Sequence, residues 1–126
     1  MADLTPTTYP VSRADLVAYA EASGDHNPIH QDPEIARSVG LPDVIAHGMF
    51  TLALVARYVD EQLGEPGRIT QIGAKFTRPV VVPEEGVEVV VSGEHRDGRE
   101  GEPTVLLTVT CGGEKVLGGA TAVLRG

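Results

Sequence analysis

Residues 49–63 read MFTLALVARYVDEQL, and the first eight of them carry no charge and a single polar side chain, Thr51. An apolar segment without a polar face predicts a helix whose first two turns are buried on every side. Charged residues begin at Arg57, and Gly64 can end the helix in the left-handed conformation. We therefore expect a long central helix that covers the apolar face of a sheet.

The chain after Gly67 consists of short runs rich in β-branched residues, which predict strands rather than helices. The predicted strands span residues 68–76, 86–95, 104–111 and 115–124, and residues 9–11 could add a short one. Gly112-Gly113 is typical of a tight hairpin, and Gly118-Gly119 indicates a bulge or a close neighbour. Helices that precede a run of strands indicate an α+β fold with an antiparallel sheet, and 126 residues predict one domain, 1–126.

Two further helices are predicted ahead of the central one. Ser12 and Asp15 form a capping-box pattern, and the helix that they start should end at Gly24. Asp32 followed by Pro33 is typical of a second helix start, because aspartate caps free N–H groups and proline suits the first helical position. The stretch between these two helices is therefore a connecting loop.

That loop reads SGDHNPIH over residues 23–30 and concentrates polar side chains that can perform chemistry. Asp25 follows the helix end directly, and Asn27 is held extended because a proline follows it. Asp25 and His30 are thus separated by a stiff bend, across which both side chains can face one water molecule. A second such stretch, AHGM at residues 46–49, opens the central helix. We interpret the rest of the chain as a frame that brings the two stretches together.

Composition excludes several classes of function. The formal net charge of −8, from 18 acidic and 10 basic residues, argues against a nucleic-acid partner because an acidic surface repels phosphates. Cys111 is the only cysteine and is expected to act as a small hydrophobic residue at a strand end. No apolar stretch is long enough to span a bilayer and no signal peptide is evident, so we expect no membrane association and a cytoplasmic location.

Residues 23–30 resemble the G-D-x-N-P-[aliphatic]-H signature of the MaoC-like family of (R)-specific enoyl hydratases and 3-hydroxyacyl dehydratases. Residues 46–49 resemble the H-G-M stretch that opens the central helix in the same family. The order and spacing of the predicted elements agree as well, so the resemblance covers nearly the whole chain. The positions most similar to catalytic subunits of mycobacterial-type (3R)-hydroxyacyl-acyl-carrier-protein dehydratases are 9–10, 12, 15–17 and 34–36.

The resemblance implies a hotdog fold, in which a curved antiparallel sheet wraps around a long central helix. It also implies a homodimer, with a heterodimer as the alternative, and a substrate that enters near the subunit interface. The implied reaction is the reversible syn addition of water to a trans-2-enoyl thioester, a hydro-lyase activity on acyl-CoA or acyl carrier protein. No cofactor is expected, because the thioester itself draws electrons from the reacting carbons.

Asp25 and His30 are the implied catalytic pair. We interpret Asp25 as the group that orients and deprotonates water, with His30 sharing that water and passing the proton at the α carbon. The reverse assignment is nearly as plausible, because coupled groups need not divide their roles residue by residue. In either case Asp25 should lie in a largely dry pocket.

The N-terminus of the central helix is implied to stabilise negative charge on the thioester oxygen, with the backbone N–H of Gly48 as donor. Without a Cβ, Gly48 lets that oxygen approach closely. Asn27 is expected to fix the loop by bonding nearby backbone. His47 is interpreted as a capping or supporting residue, and Met49 as core and one wall of the acyl pocket. We group these four residues as the substrate-binding positions.

Other interpretations of the same residues are possible. Asp25 and His30 would, without the joint motif, be an ordinary turn residue and a solvated loop histidine. His26, Asp32 and His47 suggest a metal site. A proline between His26 and His30 breaks any helix that would align them, and no cysteine or third close ligand supports zinc, so we expect no metal.

Two other functions remain as alternatives. A non-catalytic subunit that shapes the pocket of a catalytic partner is disfavoured, because Asp25 and His30 are both present. The opposite arrangement stays open, in which this chain is the catalytic subunit of a heterodimeric acyl-carrier-protein dehydratase and needs its partner to bind long acyl chains. A hotdog thioesterase or acyl-binding module is disfavoured because the first carboxylate after Gly48 is Asp60. Most of the scattered basic residues are expected at the surface, while one or two could meet coenzyme A phosphates or an acidic carrier: Arg37, Arg57, Arg68, Lys75 and Arg78.

Overall fold

The structure is a computed structural model that describes residues 2–98 and 100–125. Within these ranges, three α-helices precede most of the strands: α1 (Arg13–Ser23), α2 (Pro33–Ser38) and α3 (Gly48–Leu63). The six strands of the described residues are β1 (Ala2–Val11), β2 (Ile69–Phe76), β3 (Val87–Asp97), β4 (Pro103–Cys111), β5 (Glu114–Lys115) and β6 (Leu117–Leu124). They form one antiparallel sheet in the order β1-β3-β4-β6-β2, with β5 paired to β4. The α+β prediction is confirmed.

Helix α3 packs one face against the sheet. Val55, Tyr58 and Val59 on this face are fully buried and belong to the same apolar core as the strand residues Val91 and Val105. A long helix that lies across one face of an antiparallel sheet is the hotdog arrangement that the family resemblance implies. None of the helices in the described ranges is both long and apolar enough to cross a membrane.

The prediction that the first half of this helix is buried all round is wrong. Met49 is 59% exposed and Ala53 is exposed as well. In a helix of 3.6 residues per turn, both positions lie opposite the buried face that contains Thr51 and Val55. The sheet covers only one side of α3, so the apolar side chains at the start of the helix leave an open apolar surface.

Strand β1 is longer than predicted, because its ten residues contain little apolar alternation that a sequence pattern could detect. Its pairing with β3 is interrupted between Leu4 and Thr7. Within this bulge the Thr5 N–H donates to Oε1 of Gln62 at 3.1 Å, and the Tyr58 hydroxyl donates to the Thr5 carbonyl at 2.9 Å. Two side chains of α3 thus replace the pairing that β3 does not supply.

The other strand predictions agree with β2, β3 and β4 to within two residues. The strand predicted for 115–124 is divided at Val116 into β5 and β6. Gly112 and Gly113 have φ values of 61° and 81°, as a two-residue hairpin requires, so the hairpin is confirmed. Gly119, with φ 57°, lies at a register shift between β2 and β6, which confirms the bulge.

The segment before α3 is held firmly against the chain after β2. The Ala46 N–H donates to the Val80 carbonyl at 2.9 Å, and the Val82 N–H donates to the Val44 carbonyl at the same distance. Arg13 adds an ion pair with Asp43 at 2.9 Å and donates to the Val82 carbonyl at 3.1 Å. These contacts hold the N-terminus of α3 next to the loop that follows α1.

Candidate active site

A chain of local hydrogen bonds stiffens the loop after α1. The Asp25 N–H donates to Oγ of Ser23 at 3.1 Å, and Oδ1 of Asp25 accepts from the Asn27 N–H at 3.3 Å. Oδ1 of Asn27 accepts in turn from the Ile29 N–H at 3.2 Å. The expectation that Asn27 fixes the loop through local backbone is confirmed. Oδ1 of Asp25 is engaged by these bonds, whereas no hydrogen bond to Oδ2 occurs among the described residues.

His30 closes a short 3-10 turn, Pro28–His30, and is 8% exposed. Its Nδ1 lies 2.6 Å from the carbonyl oxygen of Ile45, and since a carbonyl can only accept, Nδ1 carries the hydrogen. The Ile45 N–H donates to the Ile29 carbonyl at 3.2 Å, so both backbone groups of Ile45 hold this turn. The Nε2 atom of His30 is therefore the nitrogen that can exchange a proton.

His47 is the N-cap residue of α3, but its side chain makes no capping bond, so that part of the prediction is wrong. Its Nε2 instead lies 3.0 Å from the backbone carbonyl oxygen of Asp25. The ring stacks on His30 with centroids 3.8 Å apart and an angle of 22° between the planes. The Tyr19 ring also approaches His47, to 4.7 Å between ring centroids. The supporting role that the sequence suggested is the one that this geometry fits.

The structure brings the two sequence stretches together. One polar atom each from Asp25, His30 and His47 lies within 4.8 Å of the other two. His26 and Asp32, which had suggested a metal site, do not belong to this group, and Asp32 instead caps α2. Two imidazoles and a carboxylate are suitable zinc ligands by type. The two rings are nearly parallel, however, so their in-plane lone pairs do not converge on one ion.

The N-terminus of α3 opens beside this group. Its first N–H groups have no partner within the helix, and the helix dipole favours negative charge there. A Cβ on Gly48 would lie 3.0 Å from Cε1 of Phe76, so the space that the missing side chain leaves is occupied by an aromatic ring. A side chain at position 48 would therefore displace the Phe76 ring.

A cavity of about 680 Å³ contains these groups. Its walls are mostly apolar, and its open edge carries Met49 and Phe76, which are 59% and 56% exposed. Asp25 also lines the cavity but is exposed, in contrast to the dry setting expected for it. The reason is its position on a surface turn beyond α1, where the loop and the rings of His30 and His47 cover it only in part. The remaining lining residues are Tyr19, Ser23, His30, Ile45, Ala46, His47, Gly48, Thr51, Thr77, Arg78, Pro79, Val80, Val116 and Leu117.

Of the scattered basic residues, Arg78 is the one that lines the cavity, and it pairs with Glu114 at 3.2 Å. Arg37, Arg57 and Arg68 pair with acidic residues away from the cavity. Lys75 is exposed on β2, one residue before Phe76. Among these five basic residues, Lys75 and Arg78 at the end of β2 are therefore the two whose positions suit binding of an anionic group beside the cavity.

The sequence did not identify two aromatic side chains that line this cavity, Tyr19 and Phe76. Tyr19 follows the helical spacing of α1 in the sequence, and Phe76 is the last residue of the strand predicted for 68–76. Tyr19 contacts both His47 and Phe50, the latter at 5.5 Å between ring centroids, and Phe76 contacts Gly48. No local signal marks either residue, because their partners lie far away in sequence.

Comparison with known proteins identifies the family of this chain. Residues 2–112 match the MaoC-like domain. The 3-hydroxyacyl-thioester dehydratase X of Mycobacterium tuberculosis is 37% identical over 84 residues, which cover 67% of this chain and 29% of that protein. A mitochondrial 3-hydroxyacyl-[acyl-carrier-protein] dehydratase of Arabidopsis thaliana is 34% identical over 83 residues, covering 66% of this chain and 49% of that protein. The chain thus spans less than half the length of either relative.

Solved structures show the same fold. A MaoC-like dehydratase superposes with a TM-score of 0.93 at 37% identity, over 98% of this chain and 39% of that one. The (R)-hydratase from A. caviae involved in PHA biosynthesis superposes with a TM-score of 0.79 at 27% identity, over 99% of this chain and 96% of that one. The hotdog fold, a sheet around a long central helix, is thereby confirmed. With the family match covering most of the sequence, the chain belongs to the MaoC-like domain family.

Proposed function

We propose that this chain catalyses the reversible syn hydration of trans-2-enoyl thioesters and the dehydration of (3R)-hydroxyacyl thioesters. The observation that carries the proposal is the meeting of the Asp25 carboxylate, the His30 imidazole and the N-terminus of α3 in one cavity. The chemistry needs a group for water, a group for the α-carbon proton, and donors for the thioester oxygen. These three groups supply those three needs.

In the hydration direction, the free oxygen of Asp25 orients a water and takes its proton as the water oxygen bonds to the β carbon. Electrons move from the double bond toward the thioester oxygen, whose negative charge the Gly48 N–H stabilises. Nε2 of His30, which is bare in the Nδ1–H ring, receives that proton from Asp25 and delivers it to the α carbon on the same face. The opposite division of the two protons between Asp25 and His30 uses the same geometry. Neither division draws on a metal or a prosthetic group.

The apolar cavity wall around Met49 suits an acyl chain, and the thioester would enter past Phe76. The carrier is coenzyme A or acyl carrier protein, since both present the same thioester. We further propose that a second subunit, identical or different, covers the open edge of the cavity. The exposure of Asp25, Met49 and Phe76 supports that proposal, because a water-filled edge weakens electrostatic catalysis. A cytoplasmic location stays a prediction.

The test is hydration of crotonyl-CoA, followed by loss of the enoyl-thioester absorbance. We expect Asp25→Asn and His30→Ala each to lower kcat by about 10²- to 10⁴-fold, as loss of a general acid or base does. His26→Ala is the matched control, because this exposed neighbour does not belong to the cluster and should retain full activity.

Two results would contradict the proposal. Full activity in the Asp25 and His30 variants would show that this pair is not catalytic, while the proposed reaction itself would stand. A wild-type protein that is inert on short and long enoyl thioesters, on both carriers and with candidate partner subunits, would remove the reaction itself.

A further inference from the structure

His47 makes contacts that the proposed chemistry does not itself require. It is 2% exposed and lies directly before Gly48, with its own carbonyl accepting the Thr51 N–H at 3.2 Å in the first turn of α3. Its backbone is therefore part of the helix end that supplies the oxyanion donor. Its side chain points the other way, to the loop that carries Asp25.

The hydrogen-bond partner determines the tautomer of this ring. The Asp25 carbonyl only accepts, so Nε2 of His47 carries the hydrogen and donates it over 3.0 Å. A neutral ring then has a bare Nδ1, and this atom is buried without a hydrogen-bond partner among the described residues. Such an unpaired atom lowers stability, and an apolar side chain of similar size would avoid the loss. Because histidine is present despite this loss, we infer that its Nε2–H donor has a function at this position.

The geometry points to His47 as a positioning residue that fixes the three proposed catalytic groups relative to one another. Its Nε2–H bond restrains the peptide of Asp25, whose side chain handles the water. Its ring restrains the plane of His30 by stacking at 3.8 Å, and Tyr19 contacts the His47 ring at 4.7 Å between centroids. Its backbone restrains the N–H of Gly48. This inference rests on the proposed function, because it assigns His47 a role in the same site.

The matched test compares His47→Gln with His47→Met. The two side chains have nearly the same shape, but only glutamine offers an N–H at the place of Nε2. We expect His47→Met to lower kcat about 10- to 100-fold, as misplacement of catalytic groups does, with KM changed less than about twofold. His47→Gln should recover most of that loss in kcat at an equal melting temperature. Equal kcat in the two variants, or a loss confined to KM, would overturn the inference.

Two further measurements keep the inference testable. If His47→Met does not fold, His47→Phe replaces it, because phenylalanine keeps the stacked ring and lacks the donor. Side-chain ¹⁵N NMR of the neutral histidines in the wild-type protein needs no activity. It should show His47 protonated at Nε2 and His30 protonated at Nδ1. The opposite tautomer at His47 would overturn the inference even in an active enzyme, whereas an inactive enzyme with the expected tautomers would count against the proposed reaction alone.

Discussion

The two ends of helix α3 differ in how they are held. At the C-terminal end, Tyr58 and Gln62 bind both backbone groups of Thr5, and the Tyr9 hydroxyl donates to Glu61 at 2.6 Å. At the N-terminal end, Gly48 and Met49 are exposed beside a cavity, and the cap residue uses its side chain elsewhere. One end is tied to the sheet by side chains, and the other leaves its backbone donors available.

This difference shows how a helix can offer unpaired N–H groups without becoming loose. Free donors at a helix end are useful for binding an anion, but they do not stabilise the end that carries them. The hydrogen bonds between α3 and the β1 residues Thr5 and Tyr9, which we call the β1 clamp, hold the helix axis instead. The buried face at Val55 and Val59 holds it as well. Stability and the proposed function are therefore supplied by different turns of the same helix, which mutations can separate.

The largest effect on this comparison is expected from Gly48→Ala. A Cβ at this position would come within 3.0 to 3.3 Å of three carbons of the Phe76 ring and push the ring toward the cavity mouth. We expect kcat/KM for enoyl-thioester hydration to fall about tenfold or more, since the oxyanion donor is disturbed. The melting temperature should change little, because the ring is 56% exposed and can move.

The double variant Gly48→Ala/Phe76→Ala is the control for this prediction, measured against Phe76→Ala alone. Recovery of activity in the double variant attributes the loss to the displaced ring. Persistent loss attributes it to the new methyl group beside the N–H. A Gly48→Ala enzyme with wild-type kcat/KM would contradict the functional assignment of this helix end.

A smaller effect, on stability alone, is expected from Tyr9→Phe at the clamped end. This change removes the hydroxyl that donates to Glu61 and should lower the free energy of unfolding by about 1 kcal/mol, measured by urea denaturation. Hydration activity should stay within about twofold of wild type, because the bond lies at the far end of α3. Tyr19→Phe is the control for stability, since no hydrogen bond of its hydroxyl occurs among the described residues. A large loss of activity in Tyr9→Phe would show that the two ends are coupled.

The smallest effect is expected on how the free energy of unfolding depends on pH, through the Tyr9–Glu61 hydrogen bond of the β1 clamp. Burial, and then the bond to Glu61, raise the pKa of Tyr9 above its ordinary value. The neutral hydroxyl therefore stabilises the fold fully below about pH 10, where the unfolded tyrosine ionises, and this contribution declines as the pH rises further. We expect the unfolding free energy of Tyr9→Phe to fall less steeply above pH 10 than that of wild type. Equal slopes would contradict the assignment.

On the acid side the sign reverses. The Tyr9 hydroxyl bond, aided by Arg57, holds the pKa of Glu61 below its ordinary value. The carboxylate thus contributes stability above about pH 4, and that contribution is lost as the pH falls through the lowered pKa. In urea titrations between pH 3 and pH 7, Tyr9→Phe should lose less stability on acidification than wild type does. A steeper acid loss in the variant would contradict this reading of the Tyr9–Glu61 bond.

Features that depend on residues close together in sequence were predicted well. Ser12 with Asp15, and Asp32, cap the helices as expected, because a side chain reaches the N–H groups two or three residues later. Gly24 and Gly64 end their helices with positive φ, a conformation that glycine adopts without a Cβ clash. The bend that separates Asp25 from His30, the hairpin and the bulge have equally local causes. The alternation of apolar residues in β3 and β4 is also a local feature.

Features that depend on distant partners were decided only by the tertiary structure. The full length of β1 depends on β3 and on two side chains of α3, and residues 2–8 carry no pattern that announces those partners. The exposure of Asp25 and Met49 depends on which surfaces the sheet leaves uncovered. The bond from His47 to the Asp25 carbonyl joins positions 22 residues apart, and the ring of Phe76 fills the space beside Gly48.

The sequence by itself thus determined the local frame of the site: capped helices, a stiff loop with Asp25 and His30, and a helix that begins at Gly48. Its causes act over a few residues, through backbone sterics and short side-chain bonds. Only the tertiary structure decided how these parts face one another, because stacking and packing depend on directions that distant elements impose. The arrangement of Asp25, His30 and the start of α3, with the contacts that His47 makes to Asp25 and His30, is of this second kind.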